Sequence, residues 1–130
     1  MNRRAFLLVA GLLASAPLAP ARAASELTVV YVGGRDCPPC TRWKNTQRPR
    51  WLASPEFHKV TWVEVEAPRL KEAYQERYWP EELRPVIAQL PRRSGVPRFL
   101  IVRNGEILSN ELGSNRWAAI LTDLRKLLGD

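Results

Sequence analysis

The chain of 130 residues is long enough for one domain of ordinary size and too short for two. Hydrophobic residues make up 45% of it and charged residues 25%, a balance that excludes wholesale disorder and a collagen-like fibre. The formal net charge is +7, but the basic residues are scattered and do not form the stripe or patch typical of nucleic-acid binding. We therefore expect a globular protein that does not bind nucleic acid.

The first residues have the pattern of an export signal. A start containing Arg3-Arg4 is followed by an apolar run over residues 5–16 and by Ala21-Arg22-Ala23, a small-x-small cleavage pattern. The apolar run is shorter than the about 20 residues that a membrane-spanning helix needs. We expect residues 1–23 to be a signal peptide and residues 24–130 to be the mature periplasmic domain, without stable membrane insertion after cleavage. The arginine pair resembles the twin-arginine motif, so both the Sec and the twin-arginine routes stay open.

The mature sequence alternates between strand and helix patterns. Apolar or alternating runs predict strands at residues 27–32, 60–65, 99–102 and 106–108, with a two-residue hairpin turn at Asn104-Gly105. Helical patterns cover residues 41–48, 70–78, 81–90 and the region after a Ser114-Asn115 cap. The apolar stripe of the last helix comprises Trp117, Ile120, Leu121, Leu124, Leu127 and Leu128. This order predicts an α/β domain with a mixed central sheet and helices on both faces.

The chemistry depends on the only two cysteines, Cys37 and Cys40, which follow the first strand at a predicted helix start. A zinc site needs four ligands, and the chain adds only His58 to this pair, so we expect no metal and assign His58 no role. Haem attachment needs a histidine directly after the second cysteine, where the sequence has Thr41. A purely structural disulfide in so small a ring would remove little chain entropy. These exclusions favour a redox pair.

The spacing of the pair gives a redox reaction a physical basis. Pro38 and Pro39 suit the first turn of a helix, where backbone amides have no helical partner. A thiolate at a helix N-terminus is stabilised by the helix dipole and by free amides, which lowers the pKa of the thiol. We expect Cys37 to lie at the exposed helix cap as the nucleophile. Cys40, one turn on, is expected to be more buried and to close the ring.

Three motifs together resemble the thioredoxin family. They are Cys37-Pro38-Pro39-Cys40 after the first strand, Gly95-Val96-Pro97 before the next core strand and Asn104-Gly105 in the following hairpin, and the resemblance covers residues 26–130. It implies a thioredoxin-like fold, catalysis by Cys37 and Cys40, and no cofactor. It also implies that Pro97 is cis and lies against the cysteine pair. Val96 would then offer backbone hydrogen bonds to an extended substrate segment.

The sequence departs from cytosolic thioredoxins in ways that suit an exported, specialised protein. The buried acid that those proteins carry beneath the cysteine pair would align near Tyr31, so proton transfer must be arranged differently. The segment between Val65 and Pro97 is longer than in a minimal thioredoxin and contains Tyr78 and Trp79. Periplasmic thioredoxins attached to sulfur-oxidation systems are similar in architecture.

Our leading hypothesis is a periplasmic thiol–disulfide oxidoreductase. Cys37 would attack a disulfide in a partner protein, and Cys40 would then release the reduced partner, with electrons supplied by another dithiol protein. One alternative is the same chemistry run backwards, in a thiol oxidase that donates its disulfide. Another is a non-catalytic binding module that docks a partner through Tyr78 and Trp79.

The residues around Cys37 indicate the direction of electron flow. Position 39 is proline and has no amide hydrogen, so only the amide of Cys40 is left to stabilise a Cys37 thiolate. Asp36 adds a negative charge that opposes the thiolate, although Arg35 and Arg42 partly offset it. Since a strong oxidant needs a heavily stabilised thiolate, the sequence predicts a reductant or isomerisation partner.

Overall fold

The computed structural model describes residues 26–91 and 93–129. The expected signal peptide, residues 1–23, and its cleavage site lie outside the described residues. No helix within the described ranges is long and apolar enough to cross a membrane.

A mixed four-stranded sheet forms the centre of the molecule. Its strands are β1 (Leu27–Gly34), β2 (Thr61–Ala67), β3 (Arg98–Arg103) and β4 (Glu106–Leu112), in the spatial order β2-β1-β3-β4. β1 runs parallel to β2 and antiparallel to β3, and β4 is antiparallel to β3. The mixed sheet confirms the expected fold class. It also makes β1, the strand that leads into the cysteine pair, an interior strand with a neighbour on each side.

The predicted hairpin turn is confirmed between β3 and β4. Asn104 and Gly105 have φ values of 50° and 79°. Two successive left-handed residues are what a two-residue turn requires if it is to match the twist of the flanking strands. The hairpin places the start of β3, and therefore the segment that precedes it, beside the end of β4.

Helices cover both faces of the sheet. They are α1 (Pro38–Thr46), α2 (Arg48–Leu52), α3 (Arg84–Ile87) and α4 (Trp117–Leu128). Side chains of α1, α2 and α4 pack in one hydrophobic cluster, and those of α3 pack in the cluster on the opposite face. The helix expected over residues 41–48 is divided at Gln47, because Pro49 has no amide with which to continue the hydrogen bonds of α1.

The helix expected over residues 70–78 is wrong. This segment forms two short 3₁₀ turns, Leu70–Glu72 and Glu76–Tyr78. The indole nitrogen of Trp79 donates a 2.8 Å hydrogen bond to the Ala73 carbonyl, which is the acceptor that the next helical turn would need. Trp79 is only 2% exposed, so it belongs to the core and does not offer the docking surface that the binding-module alternative assigned to it.

The cap expected for the last helix is also wrong, although the helix itself is confirmed. Residues Ser114–Arg116 form a 3₁₀ turn, and α4 begins at Trp117 without a side-chain cap hydrogen bond. Asn115 Oδ1 packs against the backbone of Gly113, where a Cβ atom would lie only 2.9 Å from it. Within the predicted stripe, Trp117, Ile120 and Leu124 are buried and the three other leucines are half-buried.

Aromatic side chains fill the core on the face that carries α1. Tyr31 of β1 stacks on Trp43 of α1 with ring centroids 5.0 Å apart. Phe99 and Trp117 each lie within 5.1 Å of the Trp43 ring, measured between centroids. Such contacts bury a large apolar area and hold α1 firmly against the sheet. The helix that begins at the cysteine pair is therefore fixed in position by Trp43 in its own second turn.

Candidate redox site

The cysteine pair forms a disulfide at the N-terminus of α1. Cys37 is the N-cap residue, with extended backbone dihedrals, and Cys40 lies in the first turn with its Cα atom 5.2 Å from that of Cys37. The amide of Cys40 donates a 3.2 Å hydrogen bond to Cys37 Sγ. Pro38 and Pro39 occupy the first two helical positions and have no amide hydrogen. One backbone donor therefore serves this sulfur, as the sequence predicted.

The two sulfur atoms differ in their access to solvent. Cys40 is fully buried, and Cys37 is 2% exposed. Cys37 is therefore much less exposed than the sequence analysis expected. Cys37 nevertheless lines an open groove of about 590 Å³, whereas Cys40 does not. The groove is lined by Arg35, Asp36, Cys37, Pro38, Thr41, Arg42 and Asn45. A substrate in the groove therefore meets Cys37 and not Cys40.

The loop between β1 and α1 is tied to the end of β2. The amide of Arg35 donates to the Ala67 carbonyl at 2.9 Å, and the amide of Leu70 donates to Asp36 Oδ1 at 2.6 Å. Gly34 allows this close approach, because a Cβ atom there would lie 2.5 Å from Leu70 Cα. The backbone that presents Cys37 is thus held on both sides. The carboxylate of Asp36 has an amide partner, which reduces its opposition to a nearby thiolate.

The segment before β3 lies against the cysteine pair. The Val96–Pro97 peptide bond is cis, and the Val96 carbonyl oxygen is 3.8 Å from Cys37 Sγ. In the disulfide this sulfur has no proton, but a reduced Cys37 thiol would have the carbonyl as an acceptor. Pro97 is buried, and its carbonyl accepts a 2.8 Å hydrogen bond from the amide of Gly113. The structure therefore brings together the four residues that the sequence motifs singled out.

A buried arginine that the sequence analysis missed anchors this segment. Arg98, only 4% exposed, donates to the Ser94 carbonyl at 3.2 Å and to Tyr74 Oη at 2.7 Å. Tyr74 in turn donates to the Gly95 carbonyl at 2.6 Å, and burial raises the pKa of its hydroxyl. These bonds fix the backbone directly before Val96. In the sequence, an arginine that directly follows a proline and begins an apolar strand could have indicated a buried charge.

A second polar group lies beneath the cysteine pair, near the position at which the family resemblance would place a buried acid. Tyr31 Oη donates a 3.0 Å hydrogen bond to Glu66 Oε1 of β2, and Lys44 of α1 forms an ion pair with the same oxygen. Tyr31 has no exposed surface, and its burial, together with the charge of Glu66, raises the pKa of its hydroxyl far above the usual value. Sequence reasoning placed Tyr31 in a strand but did not identify its partners.

Other candidate ligands do not assemble near the pair. Among residues 26–91 and 93–129, no three His, Cys, Asp or Glu side chains come together as a metal site would require. His58 lies in the 3₁₀ turn between α2 and β2, with its ring 5.4 Å from that of Phe57.

Several solved thioredoxins are similar to this chain in structure. The periplasmic thioredoxin SoxS from Paracoccus pantotrophus is 17% identical, with a TM-score of 0.57, over 80% of this chain and 97% of its own. The thioredoxin of Trypanosoma brucei brucei is 25% identical, with a TM-score of 0.54, over 82% of this chain and 78% of its own. That of Malassezia sympodialis is 14% identical, with a TM-score of 0.55, over 80% of this chain and 79% of its own.

The similarity lies in the structure more than in the sequence. No protein-family model matches the chain, and a search of curated proteins gives no match in sequence. The TM-scores and the shares of each chain that are covered show a fold similar to that of the solved thioredoxins. The chain therefore has a thioredoxin-like α/β fold with a Cys-X-X-Cys disulfide at the start of its first helix.

Proposed function

We propose that this protein is a periplasmic thiol–disulfide oxidoreductase that reduces or exchanges disulfides in partner proteins. The observation that carries the proposal is the position of Cys37 in a thioredoxin-like fold. Its sulfur caps a helix, lines an open groove and lies next to the backbone of Val96. A helix N-terminus favours the thiolate form of such a cysteine, which is the form that attacks disulfides.

The two cysteines divide the reaction between them. The Cys37 thiolate attacks a disulfide of the partner, one partner sulfur leaves as a thiolate, and a mixed disulfide forms. Cys40 then attacks Cys37 Sγ, so the Cys37–Cys40 bond forms and the second partner sulfur leaves. The pair is now oxidised and the partner reduced by two electrons, which a dithiol protein restores by the same exchange in reverse. No cofactor takes part in either step.

The segment at Val96 and Pro97 is proposed to bind the substrate. The Val96 carbonyl faces Cys37 Sγ, and Val96 is half-buried at the edge of both core clusters. A backbone acceptor at this distance suits an extended peptide that carries the disulfide under attack. Arg98 and Tyr74 support the proposal, because they hold the preceding carbonyls in place.

The location in the periplasm rests on the sequence pattern of residues 1–23. A similar solved structure, that of Paracoccus pantotrophus SoxS, is described as a periplasmic thioredoxin. Disulfides persist in the periplasm, so partner proteins with disulfides are present there. The protein would act on them without being inserted in the membrane.

Catalysis of insulin reduction tests the proposed activity. Residues 24–130, with dithiothreitol as the electron source, are expected to accelerate precipitation of the insulin B chain, because Cys37 supplies a reactive thiolate. The rate of turbidity increase gives the measurement, and protein whose thiols have been alkylated provides the control. Equal rates with native and alkylated protein would favour the binding-module alternative.

The reduction potential separates a reductant from the oxidase alternative. Because Cys37 Sγ accepts one amide hydrogen bond and Pro39 offers none, the thiolate is moderately stabilised. We expect a potential nearer that of thioredoxin, about −270 mV, than that of strongly oxidising dithiol proteins, about −120 mV. Equilibration with glutathione buffers measures it. A value above about −150 mV would favour the oxidase.

A further inference from the structure

The second step of the proposed reaction, in which Cys40 attacks the mixed disulfide, depends on removal of the Cys40 thiol proton. To attack the bond between Cys37 and a partner, Cys40 must lose its thiol proton, because the thiolate is the nucleophile. Its side chain has no exposed surface and does not line the groove. Bulk water therefore does not contact this thiol in the structure, and a neighbouring group is better placed to take the proton.

The hydroxyl of Tyr31 is a buried polar group close to this sulfur, and Gly33 lies beside both. A Cβ atom built on Gly33 would lie 2.1 Å from Tyr31 Oη and 3.1 Å from Cys40 Sγ. Both atoms thus lie close to the point where any residue other than glycine would place its Cβ atom. Apolar rings of the aromatic cluster surround the rest of the Tyr31 side chain.

Glu66 completes a path from this gap to solvent. Tyr31 Oη donates its hydrogen to Glu66 Oε1, and the Glu66 side chain is 27% exposed. The raised pKa of Tyr31 keeps its hydroxyl protonated, so tyrosinate does not serve as the base. A hydroxyl that donates to a carboxylate can accept a second proton on its own oxygen as the first one leaves.

We propose that Glu66 accepts the proton of Cys40 through the hydroxyl of Tyr31 while Cys40 attacks the mixed disulfide. The proposal rests on the exchange activity proposed above and assigns its second step. The Cys40 proton moves to Tyr31 Oη, and the Tyr31 proton moves to Glu66. The Cys40 electron pair forms the bond to Cys37 Sγ, and the partner sulfur leaves with the electron pair of the broken bond. Glu66 then returns its proton to water or to the departing thiolate.

The charges around this path come from three elements. Lys44 of α1 pairs with Glu66, Arg48 of α2 pairs with Glu64, and Glu64 of β2 lies two residues before Glu66 on the same face. Glu64 also accepts a hydrogen bond from the indole of Trp62, and Tyr31 makes no hydrogen bond to it. Glu64 is therefore a matched control, with the same charge on the same strand.

Single-turnover reaction with dithiobis-nitrobenzoate resolves the two steps. Attack by Cys37 on this aromatic disulfide releases one nitrobenzoate thiolate, and attack by Cys40 releases the second. An excess of reagent makes the second release rate-limiting. In Tyr31→Phe and Glu66→Gln we expect that phase to slow by about 100-fold at neutral pH. Its rate should also become proportional to hydroxide between about pH 6 and 9, because only solvent base is left. The Cys37 phase and its pH profile should stay as in the parent, and Glu64→Gln should match the parent in both.

Other outcomes contradict the proposal in distinguishable ways. Release of the second nitrobenzoate thiolate at the parental rate in both variants would exclude the path through Tyr31 and Glu66. The proposed exchange activity would still stand. Equal slowing of both phases, or the same effect in Glu64→Gln, would show a structural or general electrostatic role. Tyr31→Phe keeps the ring that stacks on Trp43, and Glu66→Gln changes a partly exposed side chain, so thermal melting of both should stay close to the parent. If the parent itself releases only one thiolate, the proposed function fails together with its second step.

Discussion

Replacing Cys37 by serine is expected to abolish disulfide exchange, with a loss of at least about 1,000-fold in the rate of insulin reduction. Cys37 is the sulfur that lines the groove, whereas Cys40 is fully buried and cannot be reached first. A serine hydroxyl is not ionised at neutral pH and cannot attack a disulfide. Turbidity kinetics with equal amounts of parent and variant measure the loss.

Cys40→Ser is the matched variant, and we expect it to trap partner proteins. Its Cys37 thiolate still attacks, but nothing resolves the product, so mixed disulfides with partner proteins accumulate. Non-reducing electrophoresis of periplasmic extracts, followed by identification of the trapped proteins, measures them. A Cys40→Ser protein that reduces insulin as fast as the parent would contradict the two-cysteine mechanism.

Gly34→Ala is expected to destabilise the protein by about 3 kcal/mol. The added Cβ atom would lie 2.5 Å from Leu70 Cα and 2.7 Å from Leu70 N, and a backbone segment cannot rotate away as a side chain can. Separating the two segments would also break the hydrogen bond between the Leu70 amide and Asp36, and so loosen the loop that presents Cys37. Urea unfolding monitored by circular dichroism measures the change in free energy.

Gly105→Ala serves as the control for this substitution. A Cβ atom at Gly105 would meet nothing within 4 Å, but the residue has a φ of +79°. The expected loss in the free energy of unfolding is that of the left-handed conformation alone, about 1 kcal/mol. If the two variants lose the same amount of stability, crowding against Leu70 is not what requires glycine at position 34.

Elements that depend on local patterns could be predicted from the sequence. The hairpin at Asn104-Gly105 was predictable because its two residues tolerate left-handed backbone. The last helix was predictable from the spacing of Trp117, Ile120 and Leu124, which the structure buries together. The cysteine pair at a helix start followed from two prolines and the preceding apolar strand. In each case the information lies within a few consecutive residues.

Elements that depend on distant contacts could not be predicted in this way. Residues 70–78 have a helical pattern, but the indole of Trp79 takes the Ala73 carbonyl and packs in the core below the sheet. The polar group beneath the pair needs Tyr31, Lys44 and Glu66 from three elements, which only the parallel pairing of β1 and β2 and the packing of α1 bring together. The anchoring of Ser94 and Gly95 by Arg98 and Tyr74 likewise joins segments far apart in sequence.

The interior position of β1 has a consequence for the motions of the site. Its residues pair with β2 from Thr28 to Gly34 and with β3 from Leu27 to Val32. A fluctuation that releases β1 between Thr28 and Val32 must therefore break ladders on two sides at once, and such openings have free energies close to that of global unfolding. We therefore expect the amide hydrogens of residues 28–32 to exchange among the slowest in the described part of the chain. The strand that leads into the cysteine pair therefore stays paired while the chain is folded, and the proposed cycles of oxidation and reduction would take place on a scaffold that stays closed.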